Sequence, residues 1–259
     1  MKVLTDEIKR SEILEMLKNS IAQCLYIAID LEIYGLRNPD VTFYYDDDEV
    51  FTIIMMYYDT VQMFTSGKAS DLLKYVDFIK GLNPIAICAG KDIVEQLEPH
   101  FENYKAEYGI VVSDNSYLEF KQFDMIRAAK MEDVDGIAEL MLSTEEFSQN
   151  NTLDVLKKQL SERICTGRGR SFVIEDEGKI VAHTAIYAEI ENVAVESGLV
   201  VHADYKKKFY GMIIHEYIKK VLSQENKKLF GRRYNESMQN SAQLEKMVVE
   251  AECGKLILK

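Results

Sequence analysis

The sharpest change of hydrophobic period along the chain falls between Glu191 and Ser223. A β-branched and apolar run from Val193 to Val201 predicts a buried strand. The charged stretch from Ala203 to Phe209 ends that strand, and from Tyr210 the apolar residues recur at helical spacing. The polar positions of this predicted helix are Glu216, Lys219 and Lys220. When a strand leads into a helix through a short loop, the free backbone N–H groups at the helix N-terminus can bind a ligand. Phosphate is the usual ligand there.

The first half of the chain alternates helical and extended patterns. Residues 5–19 have an amphipathic helical period, with Thr5 or Asp6 as the N-cap. The apolar segment 20–36 fits either a continued helix or an extended conformation. β-Prone runs over 41–68, broken at 46–48 and at 59, predict a meander of antiparallel strands. Beyond it the pattern predicts helices at 70–80 and 91–104, a short buried strand at 84–89, and extended pieces at 110–112 and 117–123.

The second half begins again with a strand and a helix near residue 124. The periodicity then predicts a helix at 153–163, a hairpin at 171–191, the strand and helix described above, a strand at 228–234, a helix at 236–250 and a closing strand at 255–259. Strands that alternate with helices indicate an α/β fold with a sheet flanked by helices. All three prolines lie before residue 100, which supports a domain boundary near residue 122.

Composition narrows the possible partners. With 259 residues, 47% hydrophobic and 29% charged, the chain has the balance of a globular protein of one or two domains. Its net charge of −12 disfavours nucleic acid and anionic membranes, and would attract cationic substrates such as amines. The same charge is also expected of any well-solvated protein.

Cysteine and histidine usage predicts neither disulfides nor a metal site. The four cysteines are far apart, which favours reduced thiols in the cytoplasm. The charged N-terminus lacks the apolar core of a signal peptide, and we expect no membrane span. His183 and His202 are isolated from other ligand-type residues, so no metal is expected. The sequence contains no G-x-S-x-G and no Walker loop.

The loop before the Tyr210 helix carries a family resemblance. Residues 201–211 resemble the pyrophosphate loop of the GNAT superfamily of N-acetyltransferases, whose strand ends in V-x-P-x-Y and continues R-G-x-G-x-G/A. Val201, Tyr205 and Gly211 match that pattern, and Lys206 keeps the charge of its arginine. Ala203 replaces the proline, and Lys207 and Phe209 replace two glycines. Because glycine lets the backbone approach phosphates closely, Phe209 is the largest departure.

The resemblance extends to the order of elements over residues 124–259. The opening residues 126–129, followed by 131–133, are similar to the start of a GNAT domain. The whole chain looks like a two-part bacterial GNAT protein, with an N-terminal GNAT-like α/β domain at 1–122 and a GNAT N-acetyltransferase domain at 123–259. The predicted fold class is therefore α/β, with a mixed twisted sheet flanked by helices in the GNAT domain.

The resemblance implies an activity and a set of site residues. A GNAT enzyme transfers the acetyl group of acetyl-CoA to a primary amine, here of an unidentified small-molecule or peptide acceptor. Residues expected at the coenzyme A site are Leu199, Val200, Val201, Lys206, Lys207, Lys208, Phe209, Tyr210, Gly211, Met212 and Asn235, with Asn240 as the alternative to Asn235. Glu196, near Glu189 and Glu191, is the candidate catalytic base, although a strand glutamate is also commonly a solvent-facing residue.

Phe209 in place of a glycine, the missing Gly-Phe ending of the family and a missing tyrosine leave an alternative open. No tyrosine follows Tyr234, so the tyrosine that protonates the leaving thiolate in many members has no counterpart; its position falls on Ala242 or Leu244. Either the thiolate leaves unassisted or catalysis has been lost. The alternative function is a degenerate GNAT-like module that binds coenzyme A or regulates another process. A homodimer is left open.

Overall fold

The computed structural model describes residues 1–48, 50–67, 72–114, 116–148, 151–236, 238–240 and 247–259. Contacts within the chain divide it into two compact units. The first unit comprises residues 1–113 together with 232–259, and the second unit comprises residues 114–231.

The first unit has a mixed sheet with helices on both faces. Its elements are β1 (Lys2–Val3), α1 (Glu7–Lys18), α2 (Ile21–Tyr34), β2 (Val41–Asp46), β3 (Thr52–Tyr57), β4 (Thr60–Thr65), α3 (Val76–Leu82), β5 (Ala86–Gly90), α4 (Lys91–Leu97), β6 (Tyr104–Asp114, whose last residue is assigned to the second unit) and β12 (Val248–Leu258). The strand order is β1-β2-β3-β4-β5-β12-β6. Strands β4 and β5 are parallel, and the other neighbours are antiparallel.

The second unit has the same kind of architecture. Its elements are β7 (Ile126–Ala128), α5 (Val134–Leu142), α6 (Glu145–Ser148), α7 (Leu153–Thr166), β8 (Arg170–Asp176), β9 (Lys179–Ile190), β10 (Val193–Val201), a 3₁₀ segment (Ala203–Lys208), α8 (Tyr210–Gln224) and β11 (Lys228–Arg233, whose last two residues belong to the first unit). The order is β11-β10-β9-β8-β7, with β10 parallel to β11 and antiparallel pairing elsewhere.

The two units repeat one sequence of elements. In each unit, helices precede three antiparallel strands, the third strand leads through a helix, and the next strand pairs parallel to the third. The predicted α/β fold with a mixed, helix-flanked sheet is confirmed in both units. The core of each unit lies between the sheet and its helices, as with Leu17 and Phe43 in the first unit and Ile214 and Ala194 in the second.

Local sequence signals located several elements closely. Asp6, one of the two predicted caps, accepts a hydrogen bond from the Lys9 amide at 2.7 Å, and α1 begins at the next residue. Strands β2, β3 and β4 form the predicted meander.

The helix predicted over 91–104 is shorter, because α4 ends at Leu97 and Pro99 lies in a 3₁₀ turn before β6. The segment predicted as extended over 117–123 enters a 3₁₀ helix at Lys121.

The end of the chain lies in a different unit from the one the sequence predicted. The expected closing strand of the C-terminal domain is β12, which pairs with β5 and β6 of the first unit. Residues 248–250, predicted as the end of a helix, already belong to this strand. Leu256 is buried in the core beneath α3 and α4, so the strand contributes apolar surface as well as ladder hydrogen bonds. Relative to the predicted domains 1–122 and 123–259, residues 114–122 lie in the second unit and residues 232–259 lie in the first.

Two charged residues of α8 are buried rather than solvent-facing. The Lys219 ammonium lies 2.7 Å from the Asp114 carboxylate and 2.8 Å from the Glu216 carboxylate. Glu216 also accepts a hydrogen bond from the Leu118 amide at 2.5 Å. The segment that enters the second unit thus covers this side of α8, and the ion cluster satisfies charges that could not be buried alone. Among the helices in the described part of the chain, none is long and apolar enough to cross a membrane.

Candidate functional site

Strands β10 and β11 separate after a short ladder. They pair in parallel at three positions, from Val193 with Lys228 to Val195 with Phe230. Beyond Val195, β10 pairs with β9 alone as far as Val201. The two strands therefore diverge, and within the described ranges this edge of β10 has no strand partner from residue 196 onward.

A bulge in β10 lies where the strand diverges. Its register against β9 shifts between Val195 and Glu196, and again between Ser197 and Val200. Gly198 has φ +75°, a conformation that L side chains rarely adopt, and a Cβ there would lie 3.2 Å from Cε1 of His183. The bulge therefore depends on glycine at this position. Past it, Leu199 is exposed, Val200 is buried and Val201 is half-buried.

The loop after β10 places its lysines on the surface. Residues 203–208 form a 3₁₀ turn in which Lys206, Lys207 and Lys208 are exposed. Lys208 is held by an ion pair with Asp176 at 2.8 Å, and this hydrogen bond raises the pKa of Lys208. Neither Lys206 nor Lys207 has an ion-pair partner among the described residues, so both are available to an anionic ligand.

Phe209 occupies a glycine-like backbone position. Its φ of +59° and ψ of +22° are left-handed, and its side chain is 66% exposed. Left-handed backbone is cheapest for glycine, which is the residue expected here from the resemblance. Phe209 in this conformation therefore carries local strain.

The first turn of α8 presents free amide groups. The first helical hydrogen bond runs from the Ile213 amide to the Phe209 carbonyl, at 3.1 Å. The amides of Tyr210, Gly211 and Met212 precede it and have no acceptor among the described residues. At the N-terminus of a fifteen-residue helix, such amides and the helix dipole favour an anion.

The side chains of that turn have other roles. Tyr210 is buried, and its ring lies 6.1 Å from that of Tyr205. A Cβ on Gly211 would lie 3.3 Å from Cγ2 of Val201. The absence of a side chain at Gly211 therefore lets α8 pack closely on β10. Met212 is exposed. Any contact of Tyr210 and Gly211 with a cofactor would therefore be made by their backbone.

Glu196 lies in a buried hydrogen-bond network. Its Oε1 accepts from the Thr184 hydroxyl at 2.9 Å, and its Oε2 lies 2.7 Å from Nδ1 of His215 on α8. The side chains of Glu196 and His215 are each 6% exposed. Among the neighbouring carboxylates, Glu189 forms ion pairs with Arg170 and Lys227, and Glu191 is exposed. Glu196 is thus not a solvent-facing strand residue.

Sequence patterns did not identify the partners of Glu196. His215 follows the buried Ile213 and Ile214 on α8, and its only sequence signal is an imidazole beside the apolar stripe of an amphipathic helix. Thr184 lies on β9. The alternation of side chains along a strand predicts which face of the sheet Thr184 occupies, but it does not predict contact with the bulge of β10.

The two asparagines lie outside the second unit. Asn235 belongs to the first unit, where its Oδ1 accepts from the Met238 amide at 2.8 Å in an N-cap arrangement. Asn240 also belongs to the first unit and is exposed. The structure thus gathers the residues predicted between 196 and 212 within one unit and assigns both asparagines to the other.

Comparisons with known proteins agree on the fold. No protein-family model matches the sequence, and no curated protein matches it. Among solved structures, a Drosophila protein from structural genomics superposes with a TM-score of 0.68 at 10% identity, covering 100% of this chain and 98% of that one. A tandem GNAT protein from the clavulanic acid biosynthesis pathway has a TM-score of 0.60 at 9% identity, covering 98% of this chain and 96% of that one. A GNAT-family acetyltransferase from Colwellia psychrerythraea has a TM-score of 0.57 at 10% identity, covering 100% and 99%.

These likenesses span the whole length of the chains and agree with the repeated order of elements in the two units. The protein therefore has the GNAT N-acetyltransferase fold.

Proposed function

We propose that this protein is an N-acetyltransferase that transfers the acetyl group of acetyl-CoA to a primary amine. One observation carries the proposal: the diverging strand β10 leads through the lysine-bearing loop 203–208 into a helix whose first three amides lack acceptors. An exposed strand edge and an anion-favouring helix start are what an extended, phosphorylated thioester requires.

The residues present fit coenzyme A at this place. The unpaired backbone of β10 beyond Glu196 offers N–H and C=O groups to the amides of pantetheine. The amides of Tyr210, Gly211 and Met212 would hold the pyrophosphate, with Lys206 and Lys207 adding positive charge. Acetyl-CoA, when bound, supplies the thioester carbonyl that the acceptor attacks.

The chain's own groups would contribute positioning and proton transfer. The acceptor ammonium must lose a proton before its nitrogen forms the new N–C bond, and Glu196 is the candidate base. The C–S bond then breaks and the thiolate takes up a proton. Because no tyrosine follows Tyr234, that proton would come from water.

A second function is favoured by the surroundings of Glu196. Both of its carboxylate oxygens already have partners, and its side chain is buried. Together with Phe209 in place of a glycine, this supports a module that binds coenzyme A without transferring its acyl group.

Two measurements on the full chain discriminate these functions. Isothermal titration calorimetry with coenzyme A tests binding, and thiol release from acetyl-CoA across a panel of primary amines tests transfer. Binding with amine-dependent thiol release supports the enzyme, and binding without release supports the module. No binding at millimolar coenzyme A would overturn both.

A further inference from the structure

Strands β4 and β5 of the first unit diverge, as β10 and β11 do in the second unit. They pair in parallel at three positions, from Thr60 with Ala86 to Gln62 with Cys88. Past Gln62, β4 pairs with β3 alone as far as Thr65, within the described ranges. A cleft of about 580 Å³, the β4–β5 cleft, opens at this divergence, and all of its lining residues belong to the first unit. Its volume is within the usual range of ligand sites.

The residues that follow on the two strands line the β4–β5 cleft. Phe64 and Thr65 end β4, and Gly90 ends β5. The Ser66 amide donates to the carbonyl of Phe51, which precedes β3, at 2.9 Å. Because hydrogen bonding alternates along an antiparallel strand, the neighbouring Thr65 amide points away from β3 and towards the side on which the cleft opens. The cleft therefore includes backbone groups of a strand edge.

The side chains around the cleft combine an acidic rim with an apolar floor. The exposed acidic residues of its lining are Asp92, Glu95, Glu250 and Glu252. The basic side chain in its described lining, Lys91, lies 2.9 Å from the Glu252 carboxylate. Phe64 and Ile93 are the buried apolar residues of the lining. Four carboxylates against one ammonium leave a surplus of negative charge, which attracts cations and repels the phosphates of coenzyme A or a nucleotide.

We propose that the β4–β5 cleft binds an extended peptide segment that carries lysine side chains. The peptide backbone pairs with the edge of β4 at Thr65, as extended peptides do at open strand edges. The methylene chains of its lysines pack on the apolar floor, and their ammonium groups lie among the carboxylates of the rim.

The strand edge favours a peptide over a linear polyamine, because a polyamine brings the same kind of charge without backbone amides. The proposal does not depend on the acetyltransferase function, since it uses residues of the first unit alone.

Fluorescence anisotropy of the full chain with a labelled, end-blocked pentapeptide that alternates lysine and alanine tests the site. Alternate side chains of an extended peptide share one face, so its lysines can reach the same rim. Glu95→Gln combined with Glu252→Gln changes exposed side chains only, and it should weaken binding several-fold or more.

The matched control is Glu32→Gln combined with Glu102→Gln. It makes the same change of charge at exposed positions of the first unit outside the described lining of the cleft. This variant should bind the peptide as tightly as the parent does. No binding to the folded parent, or equal affinity for the two double variants, would overturn the proposal.

Competition with spermidine separates strand pairing from charge. Spermidine carries as many positive charges as the peptide but has no backbone amide. We expect it to displace the labelled peptide only at concentrations about tenfold or more above those of the unlabelled peptide. Hydrogen exchange at the Thr65 amide, followed by nuclear magnetic resonance, should slow with the peptide and not with spermidine. Displacement by spermidine as effective as by the peptide, or exchange at Thr65 that the peptide does not slow, would overturn the proposal.

Discussion

The carboxylate of Glu196 lies 2.7 Å from Nδ1 of His215, and this contact joins the bulge of β10 to helix α8. The Thr184 hydroxyl donates a hydrogen bond to the other carboxylate oxygen of Glu196 at 2.9 Å. Removing a buried acceptor leaves its donors unsatisfied, which costs more than the hydrogen bonds themselves contribute.

Glu196→Ala is therefore expected to lower the free energy of unfolding by about 2 to 4 kcal/mol. Glu196→Gln keeps one acceptor oxygen and should cost less. Urea unfolding of both variants measures the difference. An alanine variant as stable as the parent would show that the network does not stabilise the fold, and Glu191→Ala, at an exposed position of the adjoining turn, is the control.

The burial of His183 should make the stability of the fold depend on pH. Burial lowers its pKa to about 4, from an ordinary value near 6.5, and its Nδ1 lies 2.9 Å from the carbonyl of Gly198. The unfolded chain therefore binds a proton at this site at a higher pH than the folded chain does. The contribution of neutral His183 is complete above about pH 7 and is lost as the pH falls from 6.5 towards 4.

Between pH 7 and pH 5 this group should cost about 2 kcal/mol of stability. Urea unfolding across that range should show a smaller pH-dependent loss in His183→Gln than in the parent. His100→Gln, in the first unit, should follow the parent. If the curves of the parent and His183→Gln stay parallel, the titration of His183 is not linked to folding.

Substitutions of Phe209 test the backbone strain at the start of α8. Because its backbone is left-handed, Phe209→Gly should leave stability unchanged or raise it by up to about 1 kcal/mol, whereas Phe209→Val should lower it by about 1 to 2 kcal/mol. Thermal melts of the two variants give the order. A valine variant that melts with or above the glycine variant would contradict the left-handed assignment. For coenzyme A, we expect the glycine variant to bind as tightly as the parent or more tightly.

The lysines of the loop should differ in their effect on coenzyme A. Lys207→Ala is expected to weaken binding by about tenfold, as one charge-assisted contact would. Lys208→Ala should matter less, because its ammonium is already paired with Asp176. Lys179→Ala, an exposed lysine at the start of β9, serves as the control in the same titrations. Equal losses for the three variants would point to general charge rather than to a loop site.

The sequence predicted features that depend on nearby residues better than features that depend on contacts between distant parts of the chain. Local signals identified α1 with its Asp6 cap, the meander of β2 to β4, and the strand, loop and helix around residue 203, since caps, turns and periodicity act over a few residues. The pairing of β12 with β5 and β6 joins residues far apart in sequence, and nothing near Val248 encodes it. The partners of Glu196 and the burial of Lys219 were missed for the same reason, because each depends on contacts between separate elements.

The most direct test of the central claim follows the backbone amides at the start of α8 by nuclear magnetic resonance while coenzyme A is added. If loop 203–208 and α8 hold the pyrophosphate, the amide signals of Tyr210, Gly211 and Met212 shift progressively and saturate, and the shifts weaken in Lys206→Ala combined with Lys207→Ala. Signals that stay in place at saturating coenzyme A, or shifts confined to other regions, would contradict the account.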